Sequence, residues 1–193
     1  MINRSRNCGR LFLAFILAGC AALAGPINPD TWYQFSFTDA GIEARGCDPE
    51  DPAGGFCVPS SGTLTTNLDA PPWTFTALAG GNLLTVVDAF VTGDQFEVFD
   101  FGVSIGLTSA PADGDCGDDP VPCLTDPNAS KGGFLLAPGD HSISIVPVLS
   151  PGGGGSAYLF VAGEAVIPEP GIWILFGSGL LAVFLKKLYT SRL

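Results

Sequence analysis

Between Gly25 and Ile167 the chain carries almost no helix signal, and this limits its fold more than any other feature. Val, Ile, Thr and Phe fill short runs, and Gly, Pro and Asp break those runs at short intervals. Branched and aromatic side chains suit a pleated surface, while Gly and Pro interrupt helices. Thr31 to Thr38 alternates Trp32, Gln34 and Ser36 against Tyr33, Phe35 and Phe37, which predicts the first strand. A long loop from Gly41 to Gly62 and a short strand from Thr63 to Leu68 follow. Pro72 to Leu78 predicts a strand with Trp73, Phe75 and Ala77 inward, turned by Gly80-Gly81-Asn82 into Leu83 to Val91. Thr92-Gly93-Asp94 reads as a hairpin into a strand on which Phe96 and Val98 oppose Glu97, Phe99 and Phe101. Val103 to Leu107, Gly133 to Ala137, His141 to Leu149 and Ser156 to Val161 complete the set. Pro147 cannot donate to a ladder, so its strand is expected to lie at an edge or end early. The whole predicts a jelly-roll-like antiparallel β-sandwich.

The two ends differ from this middle and account for the positive mean hydropathy. Arg4, Arg6 and Arg10 precede an apolar run from Leu11 to Leu23, and Ala22-Leu23-Ala24 is a small-x-small cleavage site. Residues 1–24 therefore read as a signal-peptide helix removed by signal peptidase, with the mature chain starting at Gly25. Leu17-Ala18-Gly19-Cys20 also has the form of a lipidation site, but the apolar run continues past Cys20 to the complete Ala-x-Ala site. Residues 25–165 form the exported domain, and 166–193 a tail.

In that tail Pro168 and Pro170 fix their own φ and lack N–H donors, so Pro168-Glu169-Pro170 is a rigid extended stop. Gly171 to Leu185 is uncharged and would rise roughly 22 Å as a helix, short of a ~30 Å hydrocarbon core. Snorkelling of Lys186 and Lys187 extends it, predicting a transmembrane helix over about 171–189. Lys186, Lys187 and Arg192 form a basic anchor that places the C-terminus in the cytoplasm and everything upstream outside. The order Pro168-Glu169-Pro170, short apolar helix, basic end resembles the PEP-CTERM sorting signal of Gram-negative bacteria. The resemblance implies recognition and cleavage by an exosortase. It also implies transit through the inner membrane with a periplasmic domain, then release to the cell surface or extracellular matrix beside exopolysaccharide. The stretch from Asp88 to Ser109 is similar to one in small exported β-domains that bear the same tail.

Only Arg45 and Lys131 are basic in the exported domain, against eighteen acids, for a net charge of −16. Such a surface repels nucleic acid and anionic lipid. Four cysteines remain after leader removal, and an exported chain is expected to pair them. Of three connectivities we favour Cys47–Cys57 and Cys116–Cys123, because each closes a short loop of Gly, Pro and Asp. Zinc is a poor fit to these spacings with His141 the only histidine.

Catalytic signals are weak. His141 follows a Pro-Gly-Asp turn and reads as an exposed strand residue, paired cysteines supply no thiolate, and Gly152 to Gly155 lacks the Lys-Ser/Thr of a phosphate loop. The prediction is no catalytic residue and no resident cofactor. Calcium is the one cation with a candidate site, at Asp113, Asp115, Asp118 and Asp119 around Cys116. A second acidic group, Asp94, Glu97 and Asp100, is weaker. Three functional classes follow. The first is a non-enzymatic surface or matrix protein. The second is a carbohydrate-binding module using Trp32, Trp73 or Tyr158. The third is a hydrolase, which would need two carboxylates facing each other in a cleft.

Overall fold

The computed structural model describes residues 25–163. The leader, Pro168, Glu169, Pro170, the helix expected over about 171–189, and Lys186, Lys187 and Arg192 lie outside the described residues. Among the described residues no helix is long and apolar enough to cross a membrane.

In chain order the strands are β1 (Gly25–Pro26), β2 (Trp32–Phe37), β3 (Cys47–Asp48), β4 (Gly55–Phe56), β5 (Thr65–Asn67), β6 (Trp73–Ala77) and β7 (Asn82–Asp88). Then come β8 (Val91–Thr92), β9 (Gln95–Asp100), β10 (Val103–Leu107), β11 (Gly114–Asp115), the helix α1 (Pro120–Thr125), β12 (Lys131–Leu136), β13 (Gly139–Leu149) and β14 (Gly155–Ala162). Two five-stranded sheets result, β1-β6-β13-β9-β10 and β12-β7-β14-β2-β5, with small ribbons β8-β11 and β3-β4 beside them. The fold is an all-β sandwich, as expected. It is not purely antiparallel: β1 pairs with β6, and β2 with β5, in parallel at the sheet edges. These edge strands are reached through loops, not hairpins, so nothing obliges them to reverse direction.

Period-two alternation places the core between the sheets. Tyr33, Phe35, Phe37, Leu84, Val86, Leu159 and Val161 come from one sheet, and Trp73, Phe75, Phe96, Val98, Ile143 and Ile145 from the other. Phe35 is the centre: its ring lies 5.5 Å from Trp73 and 5.8 Å from Phe96, so aromatic contacts bridge the layers. Each such pair adds about 0.5–1.5 kcal/mol beyond the area it buries.

Thr92-Gly93-Asp94 is not a hairpin. The preceding strand β7 belongs to one sheet and the following strand β9 to the other, so the segment carries the chain across the sandwich. The tight hairpin comes next, at Phe101-Gly102, where both residues have positive φ (48° and 75°) and Asp100 pairs with Val103. Pro147 also sits differently from the expectation. Its strand β13 is internal and runs on to Leu149. The β6 side of β13 is unpaired by strand beyond Ile143, and there Gly41 N donates to Pro147 O and Ala44 N to Ile145 O. A residue's N–H and C=O point to the same side of a strand, so the donor that Pro147 lacks would have faced a loop.

A second, smaller core lies outside the sandwich. Val87, Ala89 and Tyr158 are covered by Cys123, Ala129 and Leu124 from the segment around α1. That helix was unexpected; Asp119 caps it, accepting from Val121 N, and proline fills its first turn. Both expected disulfides form, Cys47–Cys57 and Cys116–Cys123. Replacing Cys116 and Cys123 together by serine is expected to cost about 2–3 kcal/mol, read as a lower urea midpoint, while circular dichroism keeps its β signature. An unchanged midpoint would mean that the cover over Tyr158 holds without the bond. Gly163, the last described residue, donates its N–H to Asp30 Oδ1 (2.7 Å), at the far end of β14 from Gly155.

Candidate functional site

The acidic loop does not gather its carboxylates. Asp119 spends one oxygen on the α1 cap and the other on Thr63 N. Burial pushes Asp119 up, but hydrogen bonds from Thr63 and Val121 outweigh it and hold the carboxyl below its usual value. Asp118 accepts from Ser61 Oγ (2.7 Å), Asp115 from Gly117 N (2.9 Å), and Asp113 is exposed. Among the described residues no three Asp, Glu, His or Cys groups converge as a metal site. Asp118 and Asp119 fasten the α1 segment to the 60s loop.

The second acidic group is likewise dispersed. Glu97 accepts from Ser104 Oγ, and Asp100 accepts from Ser142 N. Asp100 also meets His141: Nδ1 lies 2.8 Å from Asp100 Oδ2, and Nε2 lies 2.8 Å from Ala137 O. His141 is therefore buried, over the Phe75 ring, rather than the exposed residue that its turn context predicts. Both ring nitrogens face acceptors, so the imidazole ties the Ala137 turn to β9 and has no nitrogen free for a substrate.

Of the three aromatic candidates for a sugar platform, two are buried. Trp73 is fully buried in the main core, with Nε1 donating to Asp69 O (2.8 Å). Tyr158 is fully buried under α1, with its hydroxyl donating to Asp118 O (2.6 Å). Trp32 is half-buried and stacked on Phe160 at 5.0 Å.

A broad concavity lies elsewhere, at the sandwich end that holds the start of β14. It is an open cleft of about 700 Å³, within the roughly 300–1,000 Å³ of small-molecule sites. Its floor is the end of β2 and the start of β14. One wall is the loop closed by Cys47–Cys57 and its flanks, with Ile42, Glu43 and Arg45 before the loop, Phe56 in it and Val58 after it. The other is the crossing segment, with Phe90, Val91 and Asp94. The disulfide loop is tightly built: a Cβ on Gly54 would lie 2.1 Å from Gly46 O, so backbone packs directly on backbone. Arg45 Nη2 pairs with Asp51 Oδ1 at 2.8 Å, and Asp51 also accepts from Gly46 N and Ala53 N. Burial drives the Asp51 carboxyl up, yet Arg45 and the two N–H groups prevail and keep it below its usual value.

Behind the opposite wall lies a buried carboxylate pair. Asp88 accepts from Ala89 N, Gly93 N and Asp94 N, and so shapes the crossing segment. Burial, then the neighbouring Asp94 carboxylate, push Asp88 up to about 7 against those three donors. Asp94 is raised by burial, offset in part by the Ser150 hydroxyl. Only Asp94 of this pair lines the cleft. Two wall atoms, Asp94 Oδ1 and Arg45 Nε, are buried with no hydrogen-bond partner among the described residues; each such group costs about 1–3 kcal/mol.

The sequence concealed this site because four separate segments build it. Its one local signal is Phe56, an apolar residue in a glycine-rich loop beside Cys57, outside any alternating run. No protein family, curated protein or solved structure matches the chain. The two disulfides indicate an oxidising, extracytoplasmic location.

Proposed function

We propose that this chain is an exported, non-enzymatic surface or matrix protein, sorted by an exosortase through its PEP-CTERM-like tail and held beside exopolysaccharide. The observation that carries the reading is the pair of disulfides in one domain, set beside the leader and the Pro168-Glu169-Pro170 tail in the sequence. Disulfides persist where the leader would send the chain. A non-enzymatic role draws support from how the reactive groups are engaged. The four cysteines are bonded, His141 is held at both nitrogens, and Asp88 is occupied by three backbone donors. The strand orders β2-β14-β7-β12 and β6-β13-β9-β10, with successive strands passing between the sheets except at the β9–β10 hairpin, support a jelly-roll reading.

Intact mass, measured on protein from cells and from medium with exosortase present or deleted, tests the sorting. With the enzyme present, the expected species starts at Gly25, ends near Pro168-Glu169-Pro170 and gains four hydrogens on reduction. A chain that keeps Ile172 to Leu193 in both strains would remove the sorting reading. A lipid mass on Cys20 would move the anchor to the N-terminus.

A further inference from the structure

We infer that the cleft between the Cys47–Cys57 loop and the crossing segment binds a neutral saccharide. This deepens the surface-and-matrix reading by naming what the domain holds, and it rests on that reading only for where the sugar comes from.

Three properties of the walls select the ligand. First, Phe56 is 80% exposed at the mouth, and Ile42, Val58 and Val91 are exposed beside it. Large apolar groups gathered around a concavity in a strongly acidic domain mark a contact surface. A pyranose presents an apolar C–H face to such a ring.

Second, the polar groups are of both kinds. Glu43 and Asp94 accept, Arg45 donates, and the unpartnered buried atoms are one acceptor and one donor, Asp94 Oδ1 and Arg45 Nε. A hydroxyl both donates and accepts, so vicinal hydroxyls serve this mixed set where a pure donor or a pure acceptor serves half of it.

Third, charge disfavours an anion, which would meet Glu43 and Asp94 in a domain of net −16. Asp51 holds Arg45 in place before any ligand arrives, so the donor is preorganised.

Titration calorimetry on the full secreted chain provides the test, with maltohexaose, cellohexaose and mannohexaose as neutral probes and hexagalacturonate as the acidic one. At least one neutral hexamer is expected to bind, and hexagalacturonate is not. Phe56→Ala, at an exposed site, should weaken that binding about tenfold, and Glu43→Gln should weaken it as well. Trp32→Ala, on the outer sheet face, should leave it unchanged. Absence of binding to all three neutral hexamers would overturn the inference. Tighter binding of hexagalacturonate, or binding lost in Trp32→Ala and kept in Phe56→Ala, would do the same. None of these outcomes depends on the tail, so sorting and binding can fail separately.

Discussion

Replacing Trp73 by alanine is expected to cost about 3–5 kcal/mol, against a total stability of about 5–15 kcal/mol for a domain of this kind. Trp73 is fully buried, packs on Phe35 at 5.5 Å and donates to Asp69 O. The variant removes an indole from the seam between the sheets and leaves the Asp69 carbonyl without that donor. Urea unfolding followed by circular dichroism reads the loss without relying on the tryptophan itself. Trp32→Ala is the comparison: Trp32 is half-buried against Phe160, so its loss should be far smaller. Equal losses in the two variants would place the main core somewhere other than between the sheets.

Stability should fall as pH rises from about 4 to above 7, a direction set chiefly by Asp88. Its folded value, about 7, lies above the ordinary 3.8. Folding therefore takes up a proton in this window. The stabilisation is fully present below 3.8 and lost as pH rises through 7. Asp94, also raised by burial, acts in the same direction. Asp51 and Asp119 act oppositely, because their folded values are depressed and their contribution is lost as pH falls below the usual carboxylate range. A shift of this size in so buried a group corresponds to about 4 kcal/mol, which should appear as a falling urea midpoint between pH 4 and 8. Asp88→Asn keeps one acceptor oxygen without the charge and should flatten that slope. Asp88→Ala strands three buried N–H donors and should cost about 3 kcal/mol or more at any pH. A slope that survives in Asp88→Asn would assign it to other groups.

What could be read in advance followed from local patterning. β2, β6, β9, β13 and β14 were legible because inward aromatics and branched residues alternate with period two and turn residues bound them. The disulfide pairs were legible because each closes a loop with little else to order it. The misreadings share one cause. Thr92-Gly93-Asp94 has the chemistry of a turn, and it does turn, but no turn residue states whether the next strand pairs with the last or crosses to the other sheet. That outcome depends on Asp88, which binds Gly93 and Asp94 from the strand before. His141 looked exposed because its partner, Asp100, is 41 residues away in sequence. The acidic loop looked like a cation site because composition reports the supply of carboxylates and not the donors already bound to them. The cleft draws on β2, the disulfide loop, the crossing segment and β14, and no single one of these marks it.

β14 spans Gly155 to Ala162, so Gly163 stands roughly 23 Å from the cleft floor along one strand. The cleft and the last described residue thus lie at opposite ends of β14. Cutting the tail would leave the four segments around the cleft untouched. Maturation would then change the address of the protein and not its affinity, so tethered and released forms should capture ligand equally well.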